Sequence, residues 1–111
     1  MAYLVDYNKI NTISGYQIIA MARIRQYLEF KRKLILNVAP STIDPEYNKL
    51  KGGNVFCYNE YGEKLWQSYS KNIAEIFIDN GQLYFFDSSS IGYICLVDLN
   101  TGEIKKLIPT K

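Results

Sequence analysis

The chain has 111 residues, 48% of them hydrophobic and 22% charged, with a formal net charge of +2. That length makes one domain, 1–111, with a modest core, and the composition excludes wholesale disorder. The charge is too small for a nucleic-acid footprint, since the basic cluster Lys31-Arg32-Lys33 is short and offset by eleven carboxylates. Ten Tyr and five Phe tilt the chain towards β structure.

Residues 1–14 carry no clear period, because Asn8, Asn11, Thr12 and Ser14 interrupt it, and they read as a lead-in. From Gln17 to Phe30 a period of two fits better than a helical wheel. Ile18, Ala20, Ala22, Ile24, Leu28 and Phe30 fall on one side and Gln17, Arg23, Arg25 and Glu29 on the other, so 17–30 is predicted as a strand. Lys31-Arg32 turns the chain into a strand over 33–38, which Pro40 stops. A short helix is expected over 45–50, capped by Ser41 or Asp44, with Pro45 at its permissive first position.

Next comes a hairpin, with strands 54–59 and 63–68 joined by a turn on Asn59 and Gly62. Asn80-Gly81 between 73–79 and 82–87 is a strong hairpin signal, because both central residues of a type I′ turn need φ > 0. Strands 91–98 and 103–108 close around the turn Asn100-Thr101-Gly102. Cys57-Tyr58-Asn59 with Gly62-Glu63 echoes Leu96-Val97-Asp98 with Gly102-Glu103 at roughly 40 residues, a propeller-blade period. The fold class is therefore all-β: about eight antiparallel strands in two meanders, 17–68 and 73–108, packed as a small sandwich.

No histidine occurs, which removes the commonest general base and metal ligand. Cys57 and Cys95 form no C-x-x-C and sit in apolar strand patterns, so they read as reduced thiols used as small hydrophobes. Asp79 and Asp87 are a carboxylate pair that a hairpin can bring together, but Asp is also ordinary beside turns. No phosphate-binding or nucleophile-elbow motif is present, and neither an enzyme nor a cofactor is expected. The first residues show no basic segment followed by an apolar run, and no apolar run nears the ~18 residues a membrane span needs, so a cytoplasmic protein without membrane contact is expected. Strands with two apolar faces exceed what two sheets can cover, so part of the set Tyr58, Trp66, Tyr69, Tyr84 and Tyr93 should reach the surface as binding anchors. Tyr61, Glu60, Asp79 and Asp87 complete the partner-binding candidates, the carboxylates being suited to basic groups on a partner.

Asn54-Val55-Phe56-Cys57-Tyr58-Asn59 followed by Gly62-Glu63-Lys64-Leu65-Trp66-Gln67 resembles the N-V-[YF]-C-[YF]-[DN] … G-[EK]-x-[LI]-W-Q core of small bacterial immunity proteins. That family accompanies polymorphic toxin systems, including contact-dependent growth inhibition. Asp79-Asn80-Gly81-Gln82-Leu83-Tyr84 and Asp98-Leu99-Asn100-Thr101-Gly102 are similar to its later D-x-G-x-L-Y and D-x-x-T-G elements, and also to quinoprotein-type propeller repeats. The match spans 54–108, follows 17–40 in pattern only, and leaves out 1–14. The resemblance implies a monomeric cytosolic protein that blocks the active site of one cognate toxin domain, often a nuclease, at the C-terminus of a large secreted protein. It implies no catalytic residues, cofactor or metal. The alternatives are a carbohydrate- or ligand-binding β module and a propeller-like fragment that assembles with its own copies.

Overall fold

The structure, a computed structural model, describes residues 1–39, 48, 50–88 and 92–109. The helix expected over 45–50 lies almost wholly outside them. The regular structure of the described chain is nearly all β, as the strand patterns require. Eleven strands run in order: β1 (Tyr3–Asp6), β2 (Lys9–Asn11), β3 (Gln17–Ile19), β4 (Ile24–Phe30), β5 (Lys33–Val38), β6 (Val55–Asn59), β7 (Lys64–Gln67), β8 (Ile73–Asp79), β9 (Gln82–Asp87), β10 (Tyr93–Val97) and β11 (Ile104–Pro109). They form three antiparallel meanders, β1-β2-β3, β4-β5-β6-β7 and β11-β10-β9-β8.

There are three sheets where two were expected: the first, β1-β2-β3, is built from the expected lead-in together with residues 17–19. Ile10 of β2 and Ile18 of β3 are opposite in register and buried, and they pack with Ala20, Ala22 and Ile24 against Leu34, Leu36, Val38 and Phe56. On the other side of the middle sheet, Ile35, Val55, Cys57 and Trp66 pack against Ile76, Leu83, Phe85, Cys95 and Val97. β5 and β6 are thus the centre of a three-layer stack, and their near-continuous apolar runs follow from having both faces covered.

The single strand expected over 17–30 is two strands in different sheets. Residues 20–23 carry the chain across: the Ala20 N–H donates to the Asn8 carbonyl (2.7 Å), Ile24 N–H to that of Tyr7 (2.8 Å) and Ala39 N–H to that of Arg23 (2.9 Å). The alternation runs through the crossing without a break because Ile18, Ala20, Ala22 and Ile24 all face one core. Periodicity reports the buried face, not the sheet that a strand joins.

Two side-chain amides join the second and third sheets by imitating a strand. Asn54 Oδ1 accepts from Ile73 N–H (3.1 Å) while its Nδ2 donates to the Ile73 carbonyl (2.8 Å) and to Asn37 Oδ1 (2.9 Å). Gln26 does the same for Ile76, at 2.8 and 2.5 Å. β8 is an edge strand, and these amides satisfy backbone groups that would otherwise invite another chain. The sheets also share a packing rule. The Cβ-free face of Gly62 meets Tyr16 and Ile18 of the preceding sheet, and that of Gly102 meets Trp66. Successive meanders therefore dock in the same way.

Candidate functional site

Three turns meet at one end of the stack. Lys33 is opposite Asn59 across β5 and β6, which puts the 31–32 and 59–62 turns side by side. The 12–16 loop of the first sheet joins them through an edge-to-face contact of Tyr16 with Tyr61, centroids 5.9 Å apart. Between them lies a cleft of about 450 Å³, lined among others by Thr12, Ile13, Glu29, Lys31, Arg32 and Glu60.

Each turn is held by local chemistry. Asn59 Oδ1 accepts from the N–H groups of Tyr61 (2.9 Å) and Glu63 (3.0 Å), and Gly62 at φ +81° completes the reversal. This Asx arrangement presents Glu60 and Tyr61 on a fixed frame. Thr12 is buried, and its Oγ1 accepts from Tyr16 N–H at 3.1 Å. Lys31 and Arg32 adopt φ +50° and +62°, the two left-handed positions of a type I′ turn, although neither is Gly or Asn. Such a conformation costs about 1–2 kcal/mol per residue, so two long cations stand where cheaper turn residues exist. The Lys31 ammonium lies 5.2 Å from the Phe30 ring centroid, and Glu29 Oε1 accepts from Ala2 N–H at 2.5 Å. Five charged side chains line this cleft, three basic and two acidic.

The residues expected from sequence to bind a partner divide. Glu60 lines the cleft and Tyr61 stands at its rim, 54% exposed. Tyr58 is half-buried against the core beneath, and burial pushes its phenol above the usual range. Trp66 is not a surface anchor: it is 7% exposed, its indole N–H donates to the Leu99 carbonyl (2.8 Å), and its ring tilts against Phe85. The reason is the third sheet, whose Gly102 leaves the space that the indole fills. Tyr69 is 89% exposed, on the link between β7 and β8. Tyr84 stacks on Phe77 at 5.3 Å on the outer side of the third sheet, while Tyr93 packs against the inner core, opposite Asp87. Asp79 pairs with Gln82 and Asp87 with Ile73, at opposite ends of the β8–β9 hairpin. At 3.3 Å per residue the two backbones are roughly 17 Å apart, too far for a glycosidase dyad.

Sequence reasoning missed Tyr16 and Ile13, 49% and 63% exposed beside the cleft. The available signal was Asn11-Thr12 followed by Gly15 and the apolar Ile18-Ile19, a third copy of the turn-glycine pattern. Cys57 and Cys95 are free and buried. Burial pushes the Cys57 thiol up to about 12 against a smaller opposing pull from Lys33, and raises Cys95 with help from the Asp87 carboxylate. Neither supplies a thiolate nucleophile at neutral pH. Among the described residues no His, Cys, Asp and Glu group suited to a metal is assembled, and no helix is long and apolar enough to cross a membrane. No family model, curated protein or solved structure matches the chain.

Proposed function

We propose that this chain is a protein-binding inhibitor, an immunity protein that occupies the active site of a cognate bacterial toxin domain in the cytosol. The observation that carries the reading is the three-turn end. Tyr16, Tyr61 and Ile13 offer exposed burial there, and charges of both signs rim an adjoining cleft. Rigid turns on a stacked β scaffold lose little entropy on docking, and exposed Tyr at the centre of such a patch is a favoured anchor. The resemblance of 54–59 and 62–67 to immunity-protein cores supports the same reading, since Glu60 and Tyr61 are the turn between those two halves. The mixed rim fits a toxin surface of mixed charge and does not require a strongly cationic nuclease. The glycan-binding alternative loses its main platform, because Trp66 is inside.

Calorimetric titration of the purified chain with the toxin domain encoded beside it tests the proposal. Saturable one-to-one binding is expected, with Tyr61→Ala and Tyr16→Ala each weakening it by about 30-fold, a hot-spot loss. Absence of saturable binding, or wild-type affinity in both variants, refutes it.

A further inference from the structure

The antiparallel registers place Phe77, Tyr84 and Leu96 in one row and Phe86, Ile94 and Ile108 in the next, all on the side of the third sheet away from the middle one. The alternate residues Ile76, Leu83, Phe85, Cys95 and Val97 form the inner core, and none of these six belongs to either core. An antiparallel sheet with one solvated face normally carries polar residues on it. Here three of the four positions in each of two adjacent rows are apolar, five of the six side chains half-buried and Ile108 exposed. Four strands at 4.8 Å and six residues at 3.3 Å give a face of about 400 Å² in projection, about half of it covered by these six side chains.

We propose that this face packs against the same face of a second copy of the chain, joining two three-layer stacks through their third sheets. The charges select this occupant. In the row of Phe86 the β8 position is Glu75, and in the row of Tyr84 the β11 position is Lys106, so the two stand at opposite corners. A two-fold axis lying in the face sets each Glu75 opposite the other copy's Lys106 while the six apolar side chains meet at the centre. In the first sheet Asp6 stands directly opposite Lys9 and not at a far corner from it, so head-to-tail stacking cannot set the two against Lys106 and Glu75 at once. The outer rows of that sheet, Tyr3, Asn11 and Gln17 and then Asp6, Lys9 and Ile19, mix exposed apolar and polar side chains. The Phe77–Tyr84 stack is already formed, which lowers the ordering cost of association. The contact departs from the monomer expected from sequence, and it leaves the cleft and the Tyr16–Tyr61 pair clear.

Sedimentation velocity at concentrations on the order of hundreds of micromolar tests this, the range suited to a contact at the small end of specific interfaces. The wild-type chain should run as a dimer, and Ile94→Glu as a monomer with an unchanged circular dichroism spectrum. Glu75→Lys and Lys106→Glu should each weaken the dimer tenfold or more, and the double reversal should restore it; these exposed positions keep the test independent of the core. A monomeric wild type, larger head-to-tail species, a dimer indifferent to Ile94→Glu, or no rescue by the double reversal overturns the proposal.

Discussion

Replacing Gly102 by alanine tests the docking of the third sheet on the second. Gly102 has φ +76°, and an added Cβ would lie 2.4 Å from Trp66 Cε3 and 2.5 Å from Cδ2. Two costs follow. An L-residue held in the left-handed region loses about 1–2 kcal/mol. Forcing a methyl group into the indole adds about 1–3 kcal/mol, because Trp66 is fixed by its bond to Leu99 and by Phe85. Gly81 is the control: it has φ +74° with nothing within 4 Å of its added Cβ, so Gly81→Ala carries only the backbone term. Urea unfolding should give a loss of about 2–5 kcal/mol for Gly102→Ala and about 1–2 kcal/mol for Gly81→Ala. At about 4 °C per kcal/mol for a domain of this size, the melting temperatures should fall by about 8–20 °C and 4–8 °C. Indole fluorescence should shift for Gly102→Ala alone. Equal losses in the two variants would refute the reasoning, since they would mean that Trp66 does not fill the space beside Gly102.

Asn54→Ala should destabilise by about 3 kcal/mol in chemical denaturation, because it leaves Asn37 Oδ1 and both backbone groups of Ile73 without the partners Asn54 provides in a buried place. The double substitution Lys31→Asn, Arg32→Gly should raise stability by about 1–2 kcal/mol through relief of the left-handed strain. The same variant should weaken toxin binding in the titration above, if the two cations are kept for contact. Both thiols should resist a thiol-reactive chromophore at neutral pH and react only in denaturant. The sign of the alkaline effect is fixed by Cys57: an unfolded thiol ionises from 9.0 and the folded one only at about 12, so between these values the unfolded state holds fewer protons. That contribution to stability is intact below 9.0 and falls as pH rises towards about 12, with Tyr58 adding in the same direction. The urea midpoint should therefore drop between pH 7 and about 10.5, and less steeply in Cys57→Ala.

How far the sequence could be read follows the range of the interaction involved. The turns on Asn59 and Gly62 and on Asn80-Gly81 were legible because four or five residues settle them. Asn59 bonds its own following N–H groups, and Asn80 and Gly81 adopt φ +49° and +74° as a type I′ turn requires. The strands over 33–38, 54–59, 73–79 and 82–87 were legible too, as short apolar runs bounded by turn residues. Glu60 and Tyr61 were found at the cleft because the turn that presents them is local. Tyr16 and Glu29 were not, because their place beside it depends on sheets meeting through residues far apart in the chain.

Composition, strand pattern and turn chemistry thus determined, unaided, an antiparallel all-β chain and the turns at 31–32, 59–62, 80–81 and 100–102. Tertiary structure alone decided that residues 3–19 form a layer of their own, that the strand after Gln17 breaks to change sheets, and that the one tryptophan lies inside. A backbone turn is a matter of which φ and ψ a few neighbouring residues tolerate. Whether an apolar face meets water depends on which distant segment comes to lie over it, and alternation looks the same either way.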